Sequence, residues 1–248
     1  MDEGLRRIRI VLVGTTHPGN IGSAARAMKT MGLTDLVLVD PQRFPSAEAT
    51  ALAAGADDIL SSARIVPGLD EAIRDCIWVT GTSARRRGHS VPPLAPEPVA
   101  RDLFRRAGQG PVAIVFGRES SGLTNDELDL CNALVQIPTD PAFSSLNLAA
   151  AVQVMAYVCR AAALEHVERP PEYDPDPPAT QHELEGLFEH YLRALVRIEF
   201  LDPEKPRHLM RRLRHLYLRA GLSASEVRIL RGILTHTERG GGRPSNRP

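Results

Sequence analysis

Net charge is missing from this 248-residue chain. Its 30 Lys and Arg are matched by 30 Asp and Glu, so the overall balance names neither a nucleic acid nor a membrane as partner. A basic patch, if there is one, is local. Cysteine is scarce: Cys76, Cys131 and Cys159 are odd in number, far apart and without a CxxC pair. That excludes a disulfide framework and a closely spaced zinc site, and reads as reduced core thiols in a cytoplasmic protein. Long apolar runs are missing too. The longest, near Leu146–Val158, is broken by Asn147 and Gln153 and reads as too short for a bilayer. The first residues, Met1 to Arg7, carry no apolar leader and run into a strand. No HExxH, nucleophile elbow or metal-ligand cluster occurs.

What is there is alternation. Apolar runs at Ile8–Val13, Leu36–Val39, Cys76–Thr80, Val112–Phe116 and Leu134–Ile137 predict buried strands. Helical patterns lie between them near 20–31, 46–55, 69–74, 98–107 and 124–131, and a long one follows over 145–164. Alternating β and α elements with nearly continuous apolar strands predict an α/β domain over 1–166, its parallel sheet covered on both faces. Residues 167–180 contain "ERPPEYDPDPP", whose five prolines and four acids cannot build a core and read as a linker. A small all-α extension is expected over 181–238, with helices near 181–200, 205–219 and 223–237, and a disordered tail over 239–248.

Four loops carry candidate chemistry. "GTTHPGNIGSAARAMKTMGL" (14–33) follows the first strand, and Gly14 and Gly19 have the spacing of a nucleotide-triphosphate loop. The lysine and the Ser or Thr of that pattern are replaced by Asn20 and Ile21, which disfavours an NTPase. Gly19 and Gly22 supply only half of a dinucleotide fingerprint. Arg26 and Lys29 share a helical face, and a cation near a helix start opposes the dipole. Arg26 is therefore either a phosphate ligand or a surface arginine, and His17 reads as a turn residue. "VAIVFGRESSGLTNDEL" (112–128) predicts a strand, a bend at Gly122 and a helix capped by Thr124 with Glu127. Arg118 and Glu119 are candidates for a local ion pair. In "IPTDPAFSSLNLAAAVQVMAYV" (137–158), Ser144 and Ser145 read as the start of the long helix. "GTSARRRG" (81–88) is a further loop after a strand.

One basic feature is local. In "RHLMRRLRHLYLR", Leu209, Leu213 and Leu216 share a face, and Arg207, Arg211, Arg212, Arg214 and Arg219 spread over the other. This is either a solvated face or a phosphate-binding surface.

Taken in order, "HPGNIGSAARAMKTMGL", "GTSAR", "VFGRESSGLTNDEL" and "PAFSSLNLAAAVQVMAYV" resemble the motifs of the SPOUT class of RNA methyltransferases. They are most similar to its TrmJ family, tRNA ribose 2′-O-methyltransferases acting on nucleotide 32, a cytidine or uridine of the anticodon loop. The likeness covers the α/β domain and reaches more weakly into "EVRILRGIL". It implies a SPOUT fold with a mostly parallel sheet and a C-terminal trefoil knot. It also implies S-adenosyl-L-methionine as cofactor, tRNA as partner, and a homodimer whose subunits share the active site. No metal and no membrane are implied. Matched by position, the cofactor pocket would comprise Thr82, Ser83, Ala84, Gly117, Ile137, Ser144, Ser145 and Leu146. The catalytic region would hold Asn20, Arg26, Glu119, Ser145 and Asn147. RNA would meet Arg26, Lys29, Arg85 and Arg86, with Arg207, Arg211, Arg212 and Arg214 in the helical extension. A guanidinium does not give up its proton readily, so Arg26 is expected to grip phosphate and steady the developing alkoxide. The alternatives are a relative acting on another tRNA or rRNA nucleotide, a non-catalytic RNA-binding relative, and a nucleotide-dependent oxidoreductase.

Overall fold

The computed structural model describes residues 3–83, 92–165, 176–202 and 208–240. Ala84, Arg85, Arg86 and Arg207, most of the expected linker and nearly all of the expected tail lie outside them. The chain divides into two compact units that meet in sequence at 173/174.

The first unit is built on one sheet of six strands: β1 (Ile8–Val13), β2 (Asp35–Val39), β3 (Arg64–Val66), β4 (Trp78–Thr82), β5 (Val112–Phe116) and β6 (Ala133–Val135). They are all parallel, in the order β3-β2-β1-β5-β4-β6. Its helices are α1 (Glu3–Arg6), α2 (Pro18–Met31), α3 (Ala47–Ala53), α4 (Asp57–Ser62), α5 (Leu69–Ile73), α6 (Pro96–Ala107), α7 (Asn125–Leu128) and α8 (Leu148–Glu165). Side chains alternate along each strand, so the apolar runs feed two cores. Ile8, Ile10, Leu12, Ile114 and Phe116 pack under α2, α6 and α8, whereas Val11, Val13, Val79 and Val115 pack on the face that α5 covers.

Arg9 breaks the apolar run without breaking the strand. It is 4% exposed, donates to Asp35 at 2.8 Å and to Asp75 at 2.6 and 2.9 Å, and gives a further bond to the Ala72 carbonyl at 2.8 Å. Burial works against its charge, but these partners outweigh it and the guanidinium is held firmly protonated. The three thiols are free and buried, and burial pushes each up to about 12.

Several boundaries differ from expectation. The edge strand β3 and the helix α4 have no counterpart in the sequence reading. β4 begins at Trp78 rather than Cys76, because the Cys76 amide closes the turn after α5 on Ile73 at 2.9 Å. β6 ends at Val135, and the Gln136 amide bonds Leu94 at 3.0 Å as Ile137 leaves the sheet. α8 starts at Leu148, three residues later than expected. Its cap is Asn147, whose side-chain oxygen accepts from the Ala149 amide at 2.9 Å, so Ser144 and Ser145 stand in the preceding loop. Although the run reads from sequence as too short for a bilayer, α8 is long and apolar enough to cross one by length and composition, and its apolar character has a local cause: Val152, Met155, Ala156 and Cys159 are buried in the core.

Gly19 and Gly22 answer to packing. A Cβ on Gly22 would lie 2.0 Å from the Ala49 carbonyl oxygen, so only glycine lets α2 and α3 approach this closely.

The second unit holds α9 (Gln181–Arg197), α10 (Leu209–Ala220) and α11 (Ala224–Gly240) around Leu184, Leu187, Phe188, Leu218, Val227 and Leu234. Residues 176–180, expected in the linker, are seated against the start of α11: Asp176 accepts from Ser223 at 2.5 Å and from the Ser225 amide at 3.1 Å. α10 is rotated from the expected facing. Leu218 is its buried residue, and Leu216 is exposed. Arg214 turns inward, paired with both oxygens of Glu185 and lying 4.5 Å over the Phe188 ring.

Candidate active site

Loops after the carboxyl ends of β4, β5 and β6 converge, because these three strands are neighbours in the sheet. They enclose a cavity of about 180 Å³. Seven of the residues matched by position line it: Thr82, Ser83, Gly117, Ile137, Ser144, Ser145 and Leu146. The eighth, Ala84, lies outside the described residues. Phe116, Leu123, Val135 and Leu148 form apolar wall, and Ser120, Ser121 and Thr139 add hydroxyls that the sequence reading did not single out. The Thr82 hydroxyl donates to the Val115 carbonyl at 3.0 Å, fixing β4 against β5 at the rim. Apolar walls, several hydroxyls, one carboxylate and the Arg118 guanidinium suit a small ligand with an apolar part and polar ends.

That carboxylate is Glu119. It takes the Asn20 side-chain amide at 3.0 Å, the Thr16 amide at 3.1 Å and the His17 amide at 3.3 Å. The loop after β1 thus closes on the loop after β5, its neighbour strand. Asn20 in turn accepts from the Asn147 amide at 2.9 Å. Asn20 thus joins Glu119 and Asn147, 99 and 127 residues further along the sequence, in one hydrogen-bonded chain. Burial raises the Glu119 carboxyl, but the donors from Asn20, Thr16 and His17 more than offset it, and its value falls below the usual carboxylate range. Glu119 is therefore a fixed negative charge and a weak base.

Arg118 does not pair with Glu119. It forks onto Glu127 with two contacts of 3.0 Å, and Glu127 also takes the Thr124 amide at 2.7 Å, completing the expected capping box. The Glu127 carboxyl is raised by burial and lowered further by Arg118 and Thr124, the net direction being down. The clamp closes a tight turn, in which the Gly122 amide bonds the Arg118 carbonyl at 2.8 Å. A Cβ on Gly117 would meet the Gly122 backbone at 2.2 Å. The sequence signal for this clamp was Glu127 itself, visible as a cap and not as an arginine partner.

The remaining candidates are not among the residues that line the cavity. Arg26 is exposed on α2 and is not in its wall. Lys29 is occupied, bonding Asp58 and the Gly55 carbonyl, each at 2.8 Å, which ties α2 to α4. Arg211, Arg212 and Arg214 belong to the other unit, and Arg214 is committed to Glu185. His17 gives only its backbone amide to Glu119 and lends α2 no side-chain cap.

The family model of the SpoU rRNA methylase family matches residues 7–157 of this chain. That of the tRNA methyltransferase TrmJ C-terminal domain matches residues 182–246. The tRNA (cytidine/uridine/adenosine-2′-O-)-methyltransferase TrmJ of Pseudomonas aeruginosa is 52% identical over 244 residues, covering 95% of each chain. The tRNA (cytidine/uridine-2′-O-)-methyltransferase TrmJ of Pectobacterium atrosepticum is 46% identical, over 95% of this chain and 98% of its own. Among solved structures, TrmJ from Z. mobilis superposes with a TM-score of 0.80 at 37% identity, over 93% of this chain and 98% of that one.

Proposed function

This chain belongs to the SpoU rRNA methylase family and its TrmJ branch, and from that we propose that it methylates the 2′-hydroxyl of a tRNA ribose, with S-adenosyl-L-methionine as donor. The observation that carries the reading is the convergence of Thr82, Ser83, Gly117, Ile137, Ser144, Ser145 and Leu146 on one cavity whose wall includes Glu119. The finer target is nucleotide 32 of the anticodon loop. Relatives are named for cytidine and uridine, and one also for adenosine, which supports a tolerant base preference.

In this reading the cavity residues hold the donor, which supplies an electrophilic methyl on a sulfonium when bound. The apolar wall takes its ring, and the loop hydroxyls take its polar ends. Glu119 offers fixed negative charge beside a cationic ligand and holds Asn20 in one orientation. Asn20 does the same for Asn147, so the carboxamides meet the ribose already aligned. With its value held down, Glu119 is a poor proton acceptor, and the hydroxyl proton leaves to water or to another neighbouring group. Arg26 grips the phosphate next to the reacting ribose and steadies the developing oxyanion. Its exposure on α2, outside the cavity wall, favours delivery to the cavity of a second subunit. Exposed Tyr157 and Leu164 on α8 support the homodimer that this requires. The trefoil knot, Ser145 as a catalytic-region residue, RNA contacts from Arg85, Arg86, Arg207, Arg211 and Arg212, and a cytoplasmic setting belong to the same proposal. The structure favours a smaller part for Lys29 and Arg214, whose charges are already matched.

The test is transfer of labelled methyl from S-adenosyl-L-methionine to total tRNA by the full chain. Transfer that is lost in Arg26→Ala supports the reading. Tight tRNA binding without transfer overturns it in favour of a non-catalytic RNA-binding protein.

A further inference from the structure

One large apolar side chain, on the residue just before the cavity-lining Ser144, is left out of the packing. Phe143 is 82% exposed, although burying a phenyl ring is strongly favourable. Its loop is braced by three hydrogen bonds. The Asp140 carboxylate accepts the Ala142 amide at 2.7 Å, the Asp140 carbonyl accepts the Phe143 amide at 3.0 Å, and the Thr139 hydroxyl donates to the Ser144 carbonyl at 3.1 Å. The next three residues, Ser144, Ser145 and Leu146, line the cavity, and Asn147 joins the chain to Asn20 and Glu119. The ring is therefore presented to solvent from a hydrogen-bonded turn that runs straight into the cavity-lining residues.

We propose that Phe143 is the platform on which the base of the methylated nucleotide stacks. The inference rests on the functional reading above. The ribose hydroxyl has to reach Asn20, Glu119 and Asn147, and the base is bonded to that same ribose, so it comes to rest by this turn. A loop nucleotide is single-stranded, and its splayed base is commonly received by an aromatic side chain. Stacking uses the π face that every base has, and reads no donor or acceptor pattern. A platform of this kind accounts for base tolerance. A hydrogen-bonding pocket would instead separate cytidine from uridine sharply, because the wrong base would leave buried polar groups unpaired. A second copy of the chain is the competing occupant of the ring.

The test compares Phe143→Ala, Phe143→Leu and Phe143→Trp in the full chain. Phe143→Ala is expected to raise the KM for tRNA by about tenfold, the usual cost of one lost stack. Its affinity for S-adenosyl-L-methionine and its oligomeric state stay unchanged. Phe143→Leu keeps apolar bulk without a π face and does not restore the KM. Phe143→Trp restores it and gives fluorescence that tRNA quenches and the methyl donor does not. The single native tryptophan, Trp78, is buried under Arg106 and stays out of that signal. A tRNA stem-loop abasic at the methylated ribose should bind wild type and Phe143→Ala equally. An unchanged KM in Phe143→Ala overturns the inference, and dissociation of that variant into smaller species assigns the ring to a subunit interface. Failure of the unaltered protein to transfer methyl at all overturns the functional reading, and this inference with it.

Discussion

The side-chain amide of Asn20 donates to Glu119 across 3.0 Å, tying the loop after β1 to the loop after β5. Three donors converge on this one carboxylate, since the Thr16 and His17 amides point to it as well. Glu119→Gln replaces an acceptor oxygen by an NH₂ that faces donors. Turnover is expected to fall by about a hundredfold or more, the scale seen when a preorganised polar group is lost from an active site. Thermal unfolding should move little, because the carboxylate lies at the rim and outside both apolar cores. Parallel measurement of methyl transfer and melting checks this.

Asn20→Asp sets two carboxylates at hydrogen-bond distance. At neutral pH the two charges repel and their titrations couple, so that the pair takes up a shared proton as the pH is lowered. In the wild type Glu119 is held below the usual carboxylate range by its hydrogen-bond donors, so it stays ionised as the pH falls from neutral into mild acid. In the variant the shared proton restores a donor between the two groups only at lower pH. Its activity relative to wild type should therefore rise as pH falls from neutral toward about 5. A pH–rate profile of both proteins shows the two converging toward acid, and parallel profiles would contradict it.

Two glycines should respond in opposite directions to the same change. Gly22→Ala drives a methyl into the Ala49 carbonyl, so α2 and α3 must part, at a cost of about 1–3 kcal/mol or more. Gly232, in the interior of α11, has nothing within 4 Å of the added carbon. Gly232→Ala should stabilise by up to about 1 kcal/mol. Urea denaturation of the two variants measures both.

Arg9 is the buried charge that holds the amino-terminal end of β1 to Asp35 and Asp75. Arg9→Ala leaves a cavity, strips Asp75 of both its guanidinium bonds and leaves Asp35 only its 3.5 Å contact with Arg64, with an expected loss of about 3–5 kcal/mol. The hydrogen bond from Arg9, with its charge, holds Asp75 below the usual carboxylate value. A depressed folded-state value means that Asp75 adds stability above its unfolded pKa of about 4, and that this is lost as pH falls through the lower, folded value. The stability gap between wild type and Asp75→Asn should be full at neutral pH and shrink in acid. A gap that widens in acid would contradict the sign.

The sheet was legible because buried parallel strands read as apolar runs, and five of six announced themselves in this way. β3 did not: Arg64 and Ile65 are exposed on an edge, so no run exists to see. Arg9 was hidden for the reverse reason, a single charge inside a run whose partners lie in other elements. The start of α8 was misread because Ser, Thr and Asn all cap helices, and only the backbone tells which residue does so. The positions of the cavity residues came from motif likeness. Spacing alone offered loops after strands, and it pointed first to a triphosphate loop that the chain does not complete. Neither route could say that Lys29 and Arg214 are spent on Asp58 and Glu185, since those pairs join residues 29 positions apart.

The most direct measurement is mass-spectrometric nucleoside mapping of unmodified tRNA after incubation with this protein and S-adenosyl-L-methionine. The expected result is one added methyl on a ribose 2′-oxygen at nucleotide 32, lost in Arg26→Ala and in Glu119→Gln. A methyl on a base, or none on tRNA while rRNA gains one, would contradict the account.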